Sequence, residues 1–179
     1  MAVYSLPLEP QDRVLIGRAE YGANAISLLQ LQRRTGCQLV LVEDDEHGQI
    51  DLDAANDMLT EEHRVVAFAH VSNVLGSMLD AKRAADIAHS KGALLLLDGC
   101  QAVPRTPVDV GAIGADFYAF SAHKLYGPTG IGALWGRAEL LQSLPPWQGG
   151  GAMIDTVTFE RTTFADPPAR FEAGTPHIV

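Results

Sequence analysis

Cysteine is scarce in this chain, with two residues in 179, Cys37 and Cys100. Both fall in or beside apolar runs without metal-type spacing, which excludes a disulfide scaffold and a zinc module and suits a reducing cytoplasm. Positive charge is also short: 13 Lys and Arg face 22 Asp and Glu, a formal net charge of -9. Such a field repels polyphosphate, so neither nucleic acid nor an anionic membrane is expected as a partner, and any bound anion needs a local site. Long hydrophobic runs are missing too. Nowhere do about 18 apolar residues follow one another, and the opening "MAVYSLPLEP" has no basic stretch ahead of an apolar core. The expectation is a soluble, cytoplasmic protein without a targeting segment.

What the chain does have is apolar content for a core, 47% of its residues, at a length suited to one α/β domain. Short apolar runs alternate with amphipathic segments, the order of βα units around a mostly parallel sheet. "RVLIG", "CQLVLVE", "RVVAFAHV", "ALLLLD", "DFYAFSA" and "IGALWG" read as strands. Helices are expected over 19–34, with Ile26, Leu28, Leu29 and Leu31 facing inward, over 52–59 with Asp51 as cap, over 80–90, and over 137–143. The fold class is therefore α/β, a three-layer sandwich with a mostly parallel central sheet. Residues 1–150 form the expected core, and 151–179, rich in glycine, proline and threonine, are expected as loops with one hairpin. The chain stops at "FEAGTPHIV" without a closing helix and reads as a piece of a larger one.

The polar exceptions gather at strand ends. "VVAFAHVSN" ends on His70, Ser72 and Asn73, "LLLLDGCQ" on Asp98 and Gln101, and "FYAFSAHK" on Ser121, His123 and Lys124. In open parallel sheets ligands sit beyond the carboxyl ends of the strands, so these groups share one crevice if their strands are neighbours. A lysine beside a hydroxyl, an imidazole and a carboxylate suits an aldehyde cofactor, with the amine as nucleophile and base. Pyridoxal 5'-phosphate asks for each part: an amine, an aspartate opposite the ring nitrogen, and hydroxyl and imidazole donors for its phosphate. A metal hydrolase built on His70, Asp98 and His123 is the rival, but no HExxH-type spacing supports it. "GPTGIG" lacks the GK[ST] of a nucleotide loop and reads as tight turns.

"DGCQAVPRTPVDVGAIGADFYAFSAHKLYGPTGIGALWG", with "AHVSNVLGSMLD" upstream and "RFEAGTP" downstream, resembles the signature region of the class V aminotransferases. These are pyridoxal phosphate enzymes that include cysteine desulfurases and selenocysteine lyases. The resemblance implies the large domain of that fold and a set of roles. Lys124 would be the Schiff-base lysine, Asp98 the pyridinium partner, and Gln101 the donor to the ring hydroxyl oxygen. Ser121 and His123 would hold the phosphate, Asn73 would sit over cofactor and substrate, and Thr175 would reach the phosphate of a partner subunit in a homodimer. Tyr21, in "AEYGAN", stands where the family's desulfurases carry a histidine that stacks on the ring. It can stack but cannot replace the imidazole in proton transfer, which favours a transaminase, lyase or epimerase-like reaction over desulfuration. Cys100 takes a small-residue position against the other ring face, and neither cysteine matches the mobile persulfide-forming one.

The family's carboxylate-clamping arginine and its glycine-threonine phosphate loop have no counterpart in the sequence. The expected function is thus a partial pyridoxal phosphate enzyme acting on an amino acid. The alternative is a noncatalytic or vestigial dimerisation domain of the same fold.

Overall fold

The computed structural model describes residues 2–175. Two compact units make up the chain: residues 8–135, and residues 1–7 with 136–179.

The larger unit is a six-stranded sheet with helices packed against it. In chain order it contains β1 (Arg13–Gly17), α2 (Gly22–Thr35), β2 (Gln38–Val42), α3 (Leu52–Met58), β3 (His63–Ala69), α4 (Ala81–Ser90), β4 (Leu94–Asp98), α5 (Val110–Ile113) and β5 (Phe117–Ser121). A turn of 3-10 helix (Ala122–Lys124) then leads to β6 (Gly132–Gly136); α1 (Ala2–Ser5) belongs to the smaller unit. The strand order is β2-β1-β3-β4-β5-β6. Strands β1 to β5 pair in parallel, with Leu15 opposite Val66, Phe68 opposite Leu97 and Leu97 opposite Tyr118. The fold is therefore α/β around a mostly parallel sheet.

Burial follows that register. Leu15, Val66, Phe68, Leu95, Leu97 and Tyr118 share one sheet face and form a single apolar cluster with Leu52 and Ala55 of α3 and Ala81, Ala84, Ala85 and Ala88 of α4. The opposite face is covered as well, since Val14, Ile16, Val65, Ala67 and Phe117 are buried. Strands buried on both faces need no polar alternation, which is why they read as continuous apolar runs. The alanines of α4 let its backbone approach the sheet, and the Asp80 carboxylate caps the helix by accepting from Arg83 N at 3.0 Å. Asp51 caps α3 in the same way through Ala54 N at 2.9 Å.

In α2 the expected inner face is narrower than four residues. Leu28 and Leu31 are buried, whereas Ile26 and Leu29 are 58% and 47% exposed. Residues two and one positions from a buried one are rotated by about 100° or more from it on a helix, so these four cannot all face one way. The helix also starts at Gly22 rather than residue 19, because Glu20 and Tyr21 belong to the turn leaving β1.

The smaller unit holds α1, α6 (Ala138–Ser143) and an antiparallel pair, β7 (Ile154–Val157) with β8 (Thr162–Phe164). The hairpin expected in the loop-rich stretch is this pair. Tyr4 stacks on Trp147 with ring centroids 4.9 Å apart.

Candidate active site

Because β1, β3, β4 and β5 are parallel neighbours, their carboxyl ends open on one edge of the sheet, and the three loaded strand ends lie next to one another. Asp98 is the last residue of β4. Its Oδ1 accepts from Cys100 N at 2.8 Å and its Oδ2 from Asn24 Nδ2 at 2.7 Å. Thus α2, which follows β1, reaches across to the end of β4.

Ser121 closes β5, and its Oγ lies 3.4 Å from Cys100 Sγ. Burial chiefly, with the charge of Asp98 adding, pushes the Cys100 thiol above its ordinary value, so it stays a neutral thiol. Lys124 is half-buried in the 3-10 turn after β5, with its Nζ 5.5 Å from the centroid of the Tyr21 ring. Gln101 lines an open cleft with Pro104, Arg105, Lys124 and Tyr126. Arg105 Nη1 donates to Gln101 Oε1 at 2.7 Å, which turns the donor end of the amide, Nε2, toward other acceptors.

The larger unit thus brings together Asp98, Cys100, Ser121, Lys124 and Tyr21, with Gln101 on the cleft wall. His123 and Asn73 are exposed at the ends of β5 and β3. Thr175 is exposed and belongs to the smaller unit, and Pro176 of "AGTP" lies outside the described residues. His70 does not join the open groups: it is buried with its Nδ1 2.8 Å from Tyr118 Oη. Among the described residues no cluster of three or more His, Cys, Asp and Glu stands close enough to hold a metal ion.

Two groups went unnoticed in the sequence. Glu20 accepts from Ala69 N at 2.8 Å and Tyr21 N at 2.9 Å, and Asn24 Nδ2 donates to it at 3.0 Å. Burial above all, with the charge of Asp98, raises the Glu20 carboxyl above its usual range against the pull of these donors. Its position beside "YGAN" was the available signal.

The donor set fits pyridoxal phosphate. An amine follows the end of β5 beside an aromatic ring, a carboxylate that still has lone pairs ends the neighbouring β4, and the thiol of Cys100 lies next to the hydroxyl that closes β5. No described helix is long and apolar enough to cross a membrane.

Comparison with known proteins agrees with this geometry. The family model described as "Aminotransferase class-V" matches residues 1–179. A cysteine desulfurase of Dickeya dadantii is 47% identical over 171 residues, covering 95% of this chain and 42% of that protein. The crystal structure of the cysteine desulfurase CsdA from Escherichia coli superposes with a TM-score of 0.92 at 40% identity, over 95% of this chain and 43% of that one. The C-DES K223A mutant, solved with glycine covalently linked to its pyridoxal phosphate cofactor, shares the fold at a TM-score of 0.86 and 21% identity. The chain spans less than half the length of each of these relatives.

Proposed function

The chain belongs to the class V aminotransferases, and from that premise we propose that it is the cofactor-binding part of a pyridoxal phosphate enzyme acting on an amino acid. The observation that carries this reading is the placement of Lys124 and Asp98 at the ends of adjacent parallel strands, with Tyr21 beside the amine and Asn24 and Cys100 N holding the carboxylate. When bound, pyridoxal phosphate supplies an aldehyde that condenses with amines and a ring that accepts electrons from the substrate α-carbon.

This chain's own residues do the rest. Lys124 Nζ would be the covalent anchor for that aldehyde, and its free amine would serve as the base that takes and returns a proton. Asp98 would offer a fixed negative acceptor to the ring nitrogen and so favour a proton there. Tyr21 stacks on the ring, Cys100 packs near it as a neutral thiol, and Gln101 Nε2 donates to the ring hydroxyl oxygen. Ser121 and His123 hold the phosphate, Asn73 covers cofactor and substrate, and Thr175 of a second copy completes the phosphate site of a homodimer.

The names of the relatives favour desulfuration of cysteine, which yields alanine and a sulfane sulfur carried by an acceptor thiol. Neither cysteine of this chain suits the acceptor role. Cys37 is fully buried, and Cys100 is held in its unreactive neutral form. Tyr21 in place of a histidine puts the proton transfers on Lys124. Val74 and Tyr126, 81% and 93% exposed near the strand ends, are the apolar groups expected to be covered in the homodimer. Free thiols and the absence of a described spanning helix are in keeping with a cytoplasmic setting.

Titrating the protein with pyridoxal phosphate tests the reading. A visible absorption band is expected in the native chain, absent in Lys124→Ala and weakened in Asp98→Ala. No band in the native chain would sink the enzyme reading and favour a noncatalytic dimerisation domain.

A further inference from the structure

One side chain of the site, Asn24, touches two acids at once and is given no contact with the cofactor by the roles above. Asn24 Nδ2 carries two hydrogens, and the structure uses both: one goes to Asp98 Oδ2 at 2.7 Å and the other to Glu20 Oε1 at 3.0 Å. Glu20 is in turn anchored to the end of β3 through Ala69 N. One amide therefore stitches the segment after β1 to the ends of β3 and β4.

We propose that Asn24 is the positioning residue of this site, a neutral two-donor bridge that holds the Asp98 carboxylate in one orientation for the cofactor ring. The part of this inference that concerns a ring rests on the pyridoxal phosphate reading; the bridge itself does not. A carboxylate at a strand end is otherwise free to rotate about its last side-chain bond, which is a broad torsion. Cys100 N holds Oδ1 and Asn24 holds Oδ2, so the plane is set from two sides while each oxygen keeps a lone pair.

The choice of residue follows from charge. Glu20 and Asp98 are both acids, and the charge of Asp98 adds to the cost of ionising Glu20, on which burial is the larger burden. Asp44, which lines a small cavity with Glu20, adds a third carboxylate to the neighbourhood. A bridging aspartate would add one more negative charge, a serine has a single donor, and a leucine of similar size would leave the acids facing each other with nothing between. Asparagine supplies two donors from one atom at no charge.

A cofactor-free measurement comes first. The Glu20 carboxyl is followed by carbon NMR through a pH titration in the native chain, in Asn24→Ala and in Asp98→Asn. Loss of the amide donor moves the Glu20 midpoint upward, and loss of the neighbouring charge moves it downward. An unmoved midpoint in Asn24→Ala overturns the bridge. Pyridoxal phosphate affinity, read from the visible band, is then measured in the same variants and in the double variant. Asn24→Ala weakens binding about tenfold in the native background and less than about threefold in the Asp98→Asn background, because its effect passes through that carboxylate. An equal loss in both backgrounds overturns the positioning role. Asn24→Ser, which keeps one donor, gives an intermediate loss and serves if the alanine variant does not fold. Expected Glu20 shifts without a band in any protein would leave the bridge standing and remove the cofactor reading instead.

Discussion

Tyr118 Oη lies 2.8 Å from His70 Nδ1, and the two rings meet edge to face with centroids 5.8 Å apart in the buried layer beneath the site. Burial above all, with the charge of Asp98 adding, pushes the Tyr118 phenol far above its ordinary value. Burial also holds His70 below its own. The phenol thus keeps its proton and the imidazole is neutral, and the two share one buried hydrogen bond through Oη and Nδ1. The backbone that joins Asp98 to Cys100 crosses directly over that Tyr118 ring, at Gly99.

A Cβ at position 99 would lie 2.0 Å from Tyr118 Cε1 and 2.3 Å from its Oη. The ring is pinned by His70 and cannot retreat, so Gly99→Ala should cost about 3 kcal/mol, the upper end for overpacking. Urea unfolding measures this, and adding Tyr118→Leu should recover part of the loss. Native-like stability in Gly99→Ala alone would contradict the packing described.

Tyr118→Phe removes the hydroxyl and leaves His70 Nδ1 buried without its partner. A loss of about 1–2 kcal/mol is expected in the same measurement. The apolar contacts of the ring are kept, so the cost reports the hydrogen bond rather than a cavity.

Acidification should destabilise the fold before most carboxylates titrate. Burial is the main reason that both His63 and His70 are held below the ordinary histidine value of 6.5, and Arg13 adds to it for His63. Below that value the unfolded chain takes up protons that the folded chain resists, so the unfolded state binds more protons and stability falls as pH drops through it. Glu20, raised mainly by burial, has the opposite sign: its contribution is complete below 4.5 and is lost as pH rises. Denaturation midpoints at pH 7.5 and 5.5 should therefore fall toward acid in the native chain and fall less in His63→Gln/His70→Gln. An undiminished fall in that double variant would assign the effect elsewhere.

In the smaller unit Arg170 donates through Nε to Ala165 O at 3.1 Å and through Nη1 to Gln142 O at 2.9 Å and Leu144 O at 3.3 Å. Lysine keeps the charge but not the planar fork. Arg170→Lys should cost about 1–3 kcal/mol and speed amide exchange around these carbonyls, with little change in the sheet of the larger unit.

Most elements of the larger unit were legible because buried parallel strands are apolar without alternation and their helices carry capping aspartates. The segments Ala2–Ser5 and Val110–Ile113 were missed; four residues span barely one turn and show no period. The smaller unit was legible only as composition, apart from its helix after residue 136 and its hairpin. Of the candidate site, Lys124, Asp98, Ser121 and Gln101 were visible as polar residues where apolar runs stop. Glu20 and Asn24 were not, since an acid and an amide near the start of a helix have ready local uses as caps and turn formers.

The order of residues by itself determined which segments become strands and what each carries at its carboxyl end, because those depend on neighbours a few positions away. Which ends meet was decided by the tertiary structure. Asn24 and Asp98 are 74 residues apart, and only the order β2-β1-β3-β4-β5 places the start of α2 near enough to β4 for the amide to reach the carboxylate. That order is chosen by the simultaneous burial of both sheet faces, a property of the whole core that no local window contains.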